Sequence, residues 1–151
     1  MEGSDVLTRN FKLAEFIRSD KADEMGDPNT PDEEHLRALH GLACGMEQVR
    51  RILGDRPISI TSGYRNPAVN KAVGGVSNSA HALGYAADFS VKGMTPVEVA
   101  RALEASTLAF DQLIYEASRN INHISFDPRM RREVKTQKKG AGTPVVWGIV
   151  D

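Results

Sequence analysis

The chain has 151 residues and a mass of 16.5 kDa, the size of one domain with room for a hydrophobic core. Its net charge of -1 argues against a protein-wide nucleic-acid-binding surface, and its one cysteine, Cys44, excludes an intrachain disulfide and a cysteine metal cluster. No stretch approaches the roughly 18 apolar residues of a membrane span, and the polar opening MEGSDVLTRNFKLAEF lacks the run of about 7–15 apolar residues that a secretory signal needs.

Residues 1–10 read as a loose lead-in. Phe11, Leu13, Phe16 and Ile17 fall mostly on one side of a short helix that Asn10 could cap. Residues 21–30 are polar and turn-like, with Gly26, Pro28 and Asn29. Thr30-Pro31-Asp32-Glu33-Glu34 predicts a helix start, with Thr30 as N-cap and Pro31 at the first helical position. Leu36, Leu39, Leu42, Ala43, Met46, Val49 and Leu53 then recur at a helical period up to Gly54. His35 and His40 stand five apart on that helix, a spacing that separates them around its axis, so both read as ordinary helical residues.

Ile58 to Ile60 predicts a strand leading into the turn Ser62-Gly63-Tyr64-Arg65. A helical turn over Val69 to Val73 and the polar run Ser77-Asn78-Ser79 follow. From Tyr85 to Val91 the pattern alternates. Tyr85, Ala87, Phe89 and Val91 face one way, while Ala86, Asp88 and Ser90 face the other. Small residues around Asp88 on the second face predict a cleft there. Thr95-Pro96-Val97-Glu98 is a capping pattern that opens a helix through Val99 and Leu103. Phe110 to Tyr115, ending at Glu116, and Ile121 to Phe126 then read as two strands of an antiparallel hairpin. Residues 129–142 are strongly basic and read as a solvated segment, and Val145 to Val150 as a last short strand or ordered tail.

His81, Asp88 and His123 would form a His-His-carboxylate set. Catalytic zinc sites typically keep three protein ligands and leave one position for water, and a buried Asp88 needs either a partner or a metal. Amide hydrolysis at such a site also needs a carboxylate to take the water proton and a cation for the developing negative charge. Glu116 and Arg65 are the nominees for these roles. Tyr64 and Ser79 are expected to contact substrate, with Trp147 and Tyr64 as flanks of a groove.

Several motifs taken together carry a resemblance. They are Ser62-Gly63-Tyr64-Arg65, Asn70, Val73-Gly74-Gly75, Ser79-x-His81-x-x-Gly84-x-Ala86-x-Asp88 and His123-Ile124-Ser125. Phe11-x-Leu13-x-Glu15-Phe16 and Asp111-Gln112-Leu113-Ile114-x-Glu116 add to them. The set resembles the M15 family of zinc peptidases, which contains D-alanyl-D-alanine carboxypeptidases and phage endolysins, and most of all its small phage- and prophage-type branch. The likeness runs over residues 11–126. It implies the compact α+β fold shared with hedgehog-type domains, Zn2+ on His81, Asp88 and His123, and Arg65 as the substrate or transition-state cation. It also implies cleavage of a stem or crosslink peptide of peptidoglycan. One departure stands out. Several members carry an acidic base three residues before the last histidine, where this chain has Asn120, and the aromatic residue common just before that histidine is replaced by Ile121 and Asn122.

The expectation is therefore a single α+β domain over 1–151, with an antiparallel sheet, helices on one face and a zinc cleft on the other. It would be a monomeric metallopeptidase made without a signal peptide, reaching the wall after holin release or within a virion. Asn120 motivates the alternative, a non-catalytic zinc-containing domain that binds wall peptide or a phage structural protein.

Overall fold

The computed structural model describes residues 5–77, 79–140 and 143–150. The first residues of the expected lead-in, Asn78 in the polar run, and positions 141–142 of the basic segment lie outside them. So does Asp151.

Val6–Thr8 (β1) and Phe11–Lys12 (β2) pair antiparallel, so part of the expected lead-in is a small hairpin. Asn10, expected as a cap, instead binds the Glu47 carboxylate through its backbone N–H and side chain. The short helix follows at Leu13–Ile17 (α1) and buries Leu13 and Phe16. Asp20–Met25 (α2), read from the sequence as turn, is helical because Ser19 caps its start and Gly26 closes it in the left-handed region at φ 67°. The long helix Glu33–Ile52 (α3) starts later than expected. Asp32, whose carboxylate accepts from His35 N–H, takes the capping place assigned to Thr30. Its buried stripe is the predicted one, from Leu39 to Val49.

Ile58–Ser62 (β3) leads to two short helices, Pro67–Ala72 (α4), capped by Asn66, and Ala80–Leu83 (α5), capped by Ser79. Ala86–Val91 (β4) precedes Pro96–Ala105 (α6), which carries the predicted capping box between Thr95 and Glu98. Gln112–Glu116 (β5) and Ile121–Ser125 (β6) form the predicted hairpin. Glu133–Gln137 (β7) and Val146–Trp147 (β8) complete a six-stranded sheet in the order β3-β4-β6-β5-β7-β8.

The chain thus has a mixed α+β architecture, and one expectation needs correcting. The sheet is not wholly antiparallel, because β5 and β7 run parallel in register from Gln112↔Glu133 to Glu116↔Gln137. The reading of the basic segment as merely solvated also needs correcting, since two of its arginines, though exposed, are tied down by remote partners. Arg131 forks onto the Asp111 carboxylate at 2.8 and 2.9 Å. Arg132 donates to the carbonyls of Ser106 and Leu108, just beyond α6, at 2.7 and 3.0 Å. Each such contact replaces water at a charged donor with a fixed acceptor, which offsets the cost of ordering the segment.

Ile60, Ala87, Phe89, Leu113 and Ile124 share one sheet face and join α3 and α6 residues in the core. The opposite face carries one cross-strand row of residues in register. Asp88 pairs with His123, His123 with Ile114, Ile114 with Lys135, and Lys135 with Trp147. Helices are not confined to the core face, because α5 and the turn after α4 wall this second side. No helix among the described residues is long and apolar enough to cross a membrane.

Candidate metal centre

The turn from Ser62 to Arg65 is held from three directions. Tyr64 N–H donates to Phe16 O at 2.7 Å, and Arg65 N–H to His81 O at 3.1 Å. Asn29, buried and at φ 51°, donates to the carbonyls of Ile17 and Tyr64 and accepts from Asn66 N–H. Gly63 sits so close to Phe16 that a Cβ there would lie 2.5 Å from Phe16 O. This tight approach places the Gly63 carbonyl 2.8 Å from His81 Nδ1. The ring therefore donates its proton to Gly63 and turns Nε2 toward Asp88, the arrangement by which an outer carbonyl fixes the tautomer of a metal-binding histidine.

His81 Nε2 lies 3.2 Å from Asp88 Oδ1, and His123 Nδ1 lies 3.1 Å from the same oxygen. One potential ligand atom from each of the three residues falls within 4.8 Å of the others. The spacings to Asp88 are close to the edge, about 3.3 Å, of a tetrahedron whose corners lie about 2.0–2.1 Å from its centre, as zinc–nitrogen and zinc–oxygen bonds require. Two imidazole nitrogens and a carboxylate are also the donor types zinc accepts. The residues fit the metal. Burial pushes the Asp88 carboxyl up, but the facing His81 charge and the hydrogen bonds from His123 and His81 outweigh it. Asp88 is thereby held well below the usual carboxylate range, ready as an anionic ligand.

The three lie in a cleft of about 510 Å³ that Arg65, Ile114, Glu116, Arg119 and Gln137 also line. Arg65 and Glu116, the nominees of the sequence reading, line the same cleft as His81, Asp88 and His123. Burial lowers the Arg65 guanidinium, Asp88 opposes that shift and Arg119 adds to it. The buried Arg65 Nε–H has no partner among the described residues.

Arg119 was not singled out by sequence. Its Nη1 donates to Glu116 Oε1 at 3.0 Å and its Nη2 lies 3.6 Å from Asp88 Oδ2. Burial lowers the Arg119 guanidinium, but Glu116 and Asp88 outweigh that and raise it. Asn120, where an acid was sought, takes φ 52° in the hairpin turn.

Two assignments to substrate do not match the geometry. Tyr64 is 3% exposed and points to α3, where its hydroxyl lies 3.3 Å from His35 Nδ1. Ser79 caps α5 and donates to Asn70 Oδ1 at 3.3 Å. Neither lines the cleft. His35 and His40 also stand outside it, as expected.

A zinc D-Ala-D-Ala carboxypeptidase from Streptomyces albus G is 44% identical over 88 residues, 58% of this chain. The match spans only 34% of that protein's own length. The model of the Peptidase M15 family matches residues 9–125, a stretch that holds Arg65, Glu116 and all three of His81, Asp88 and His123. With most of its length and its whole His-Asp-His group inside that match, the chain belongs to the Peptidase M15 family.

Proposed function

We propose that the protein is a zinc metallopeptidase that hydrolyses an amide bond in the stem or crosslink peptide of bacterial peptidoglycan, as a phage- or prophage-type wall hydrolase. The observation that carries this reading is Asp88 Oδ1 between His81 Nε2 and His123 Nδ1 in a cleft shared with Glu116 and Arg65. His81, Asp88 and His123 would hold the ion. Zinc bound there supplies Lewis acidity that polarises the scissile carbonyl and acidifies the attacking water.

The protein's own groups do the rest. Glu116 takes the proton from water as the new C–O bond forms, and returns it to the amine nitrogen as the C–N bond breaks. Arg119, engaged at Oε1, keeps that carboxylate turned into the cleft. Arg65, whose buried Nε–H has no partner among the described residues, balances the negative charge that develops on the carbonyl oxygen. Glu116 takes the base role because the turn residue at the alternative position is Asn120, whose amide cannot act as base.

Mass spectrometry of products released from purified peptidoglycan tests this. Zinc-loaded wild type releases peptide fragments, and Glu116→Gln keeps its zinc but loses about a hundredfold or more in kcat. His81→Ala loses zinc and activity together. A zinc-loaded wild type that releases nothing would sink the peptidase reading in favour of a wall-binding module. Undiminished release by Glu116→Gln would remove Glu116 from the mechanism.

A further inference from the structure

The chain's one tryptophan, Trp147, is 68% exposed on the two-residue edge strand β8. An exposed aromatic at a sheet edge is a liability for unwanted association unless a ligand uses it. Its placement argues for use. Trp147 is the cross-strand partner of Lys135, Lys135 of Ile114, and Ile114 of His123, so all four stand on the cleft face of the sheet. Lys135 is mostly covered, and its ammonium sits 4.7 Å from the centre of the Trp147 ring, propping it from the sheet side. The sheet face that floors the cleft thus continues in register beyond it, from the metal group across β5 and β7 to an indole.

The length of that floor identifies what would lie on it. From His123 on β6 to Trp147 on β8 there are three inter-strand steps of about 4.8 Å, or about 14 Å. An extended peptide covers about 3.3–3.6 Å per residue, so about four residues span the gap. In a peptidoglycan stem, four residues separate the lactyl group of the sugar from the bond before a fifth, terminal residue. A stem laid along the row with that last bond at the metal group therefore brings its N-acetylmuramyl sugar over the indole. A pyranose presents an apolar C–H face that matches an aromatic ring, and its hydroxyls stay in water.

We propose that Trp147, propped by Lys135, is a glycan-binding subsite that stacks on the sugar carrying the stem peptide, and that it selects the distal bond of a glycan-attached stem. The inference rests on the peptidoglycan reading of the cleft. The sole tryptophan makes it directly measurable, because fluorescence excited at the red edge, where the three tyrosines do not absorb, reports on this ring alone. Zinc-loaded Glu116→Gln protein is titrated with a disaccharide pentapeptide and, separately, with the free pentapeptide. A shift in emission with the first at concentrations where the second has none is the expected result. In kinetics, the ratio of kcat/KM for disaccharide pentapeptide over free pentapeptide falls about tenfold in Trp147→Ala, the loss of one aromatic contact.

An unchanged ratio overturns the proposal, as does an equal fluorescence response to both ligands or a response to neither. If wild type cleaves neither substrate, the peptidase reading fails separately. A glycan-dependent fluorescence shift would then keep the subsite on a binding module, and its absence would remove both.

Discussion

Arg119 ties Glu116 to Asp88: one guanidinium reaches the Glu116 carboxylate at 3.0 Å and comes within 3.6 Å of the oxygen of Asp88 that faces away from the histidines. The residue that would move protons is thereby linked to a residue that would hold the metal. The tie comes from the hairpin turn, one position before Asn120. With Arg119→Gln, Glu116 loses its partner while His81, Asp88 and His123 keep one another. We expect kcat to fall about tenfold, with KM and zinc affinity within about threefold of wild type, on the scale of one lost charged hydrogen bond. Steady-state kinetics and chelator competition read these separately. A parallel loss of zinc affinity and kcat would instead make Arg119 a support of the metal ligands.

Metal binding by His81, Asp88 and His123 would be coupled to folding, because these residues come from α5, β4 and β6, which meet only when the chain is folded. A ligand that binds only the folded state at a thousand times its Kd stabilises by about 4 kcal/mol. For a domain of this size that corresponds to a rise in Tm of about 8–16 °C when zinc is added to chelator-treated protein. The gain should vanish in His81→Ala and in Asp88→Asn. A zinc-induced rise that persists in both would place the ion elsewhere.

The legible parts of this site were those set by local pattern. Alternation along 85–91 set Asp88 on the face opposite Phe89, and alternation in the hairpin of 110–126 set His123 with Ile121 and Ser125, because side-chain direction in a strand has a strict period of two. The family resemblance joined His81, Asp88 and His123 into one set. Turns carry no such period. Tyr64 and Arg65 are neighbours, yet Tyr64 enters the core beside His35 and Arg65 enters the cleft. The direction of Arg119 depends on a turn completed by Asn120 at φ 52°, which composition does not reveal. The parallel strand β7 was hidden for a different reason. Its approach is a run of arginines that looks solvated until Asp111 and the carbonyls after α6, far away in sequence, are seen beside it.

Gly63 offers a test of how the fold sets up a ligand. A methyl group there meets Phe16 backbone atoms at 2.5 to 3.0 Å, and backbone yields less readily than a side chain. Gly63→Ala should therefore shift the carbonyl that accepts from His81 Nδ1. The expected cost is about 1–3 kcal/mol in folding, with zinc affinity lowered about 10–100-fold, as for other outer-sphere partners of metal histidines. Chelator competition and urea denaturation measure the two. Lowered stability with unchanged affinity would mean that the carbonyl does not orient the ring.

Asp111 contributes to the acid limb of stability. Hydrogen bonds from the Arg131 side chain, opposed by burial and helped by Arg131 N–H, hold its carboxyl below the ordinary range. A folded pKa below the unfolded one means that this contribution is complete above the unfolded value, about 3.9, and is lost as pH falls through the lower folded value. In Asp111→Asn the side chain stays neutral at every pH and cannot accept the fork at both ends. The variant should be less stable than wild type near pH 6, and the gap should narrow as pH falls below about 4. Because the same carboxylate anchors the entry to β7, loss of the tryptophan emission signal from neighbouring β8 should accompany unfolding in both proteins. A stability gap that stays constant from about pH 6 to about pH 3 would show that the charge on Asp111 contributes nothing, and that shape alone holds the parallel strand in place.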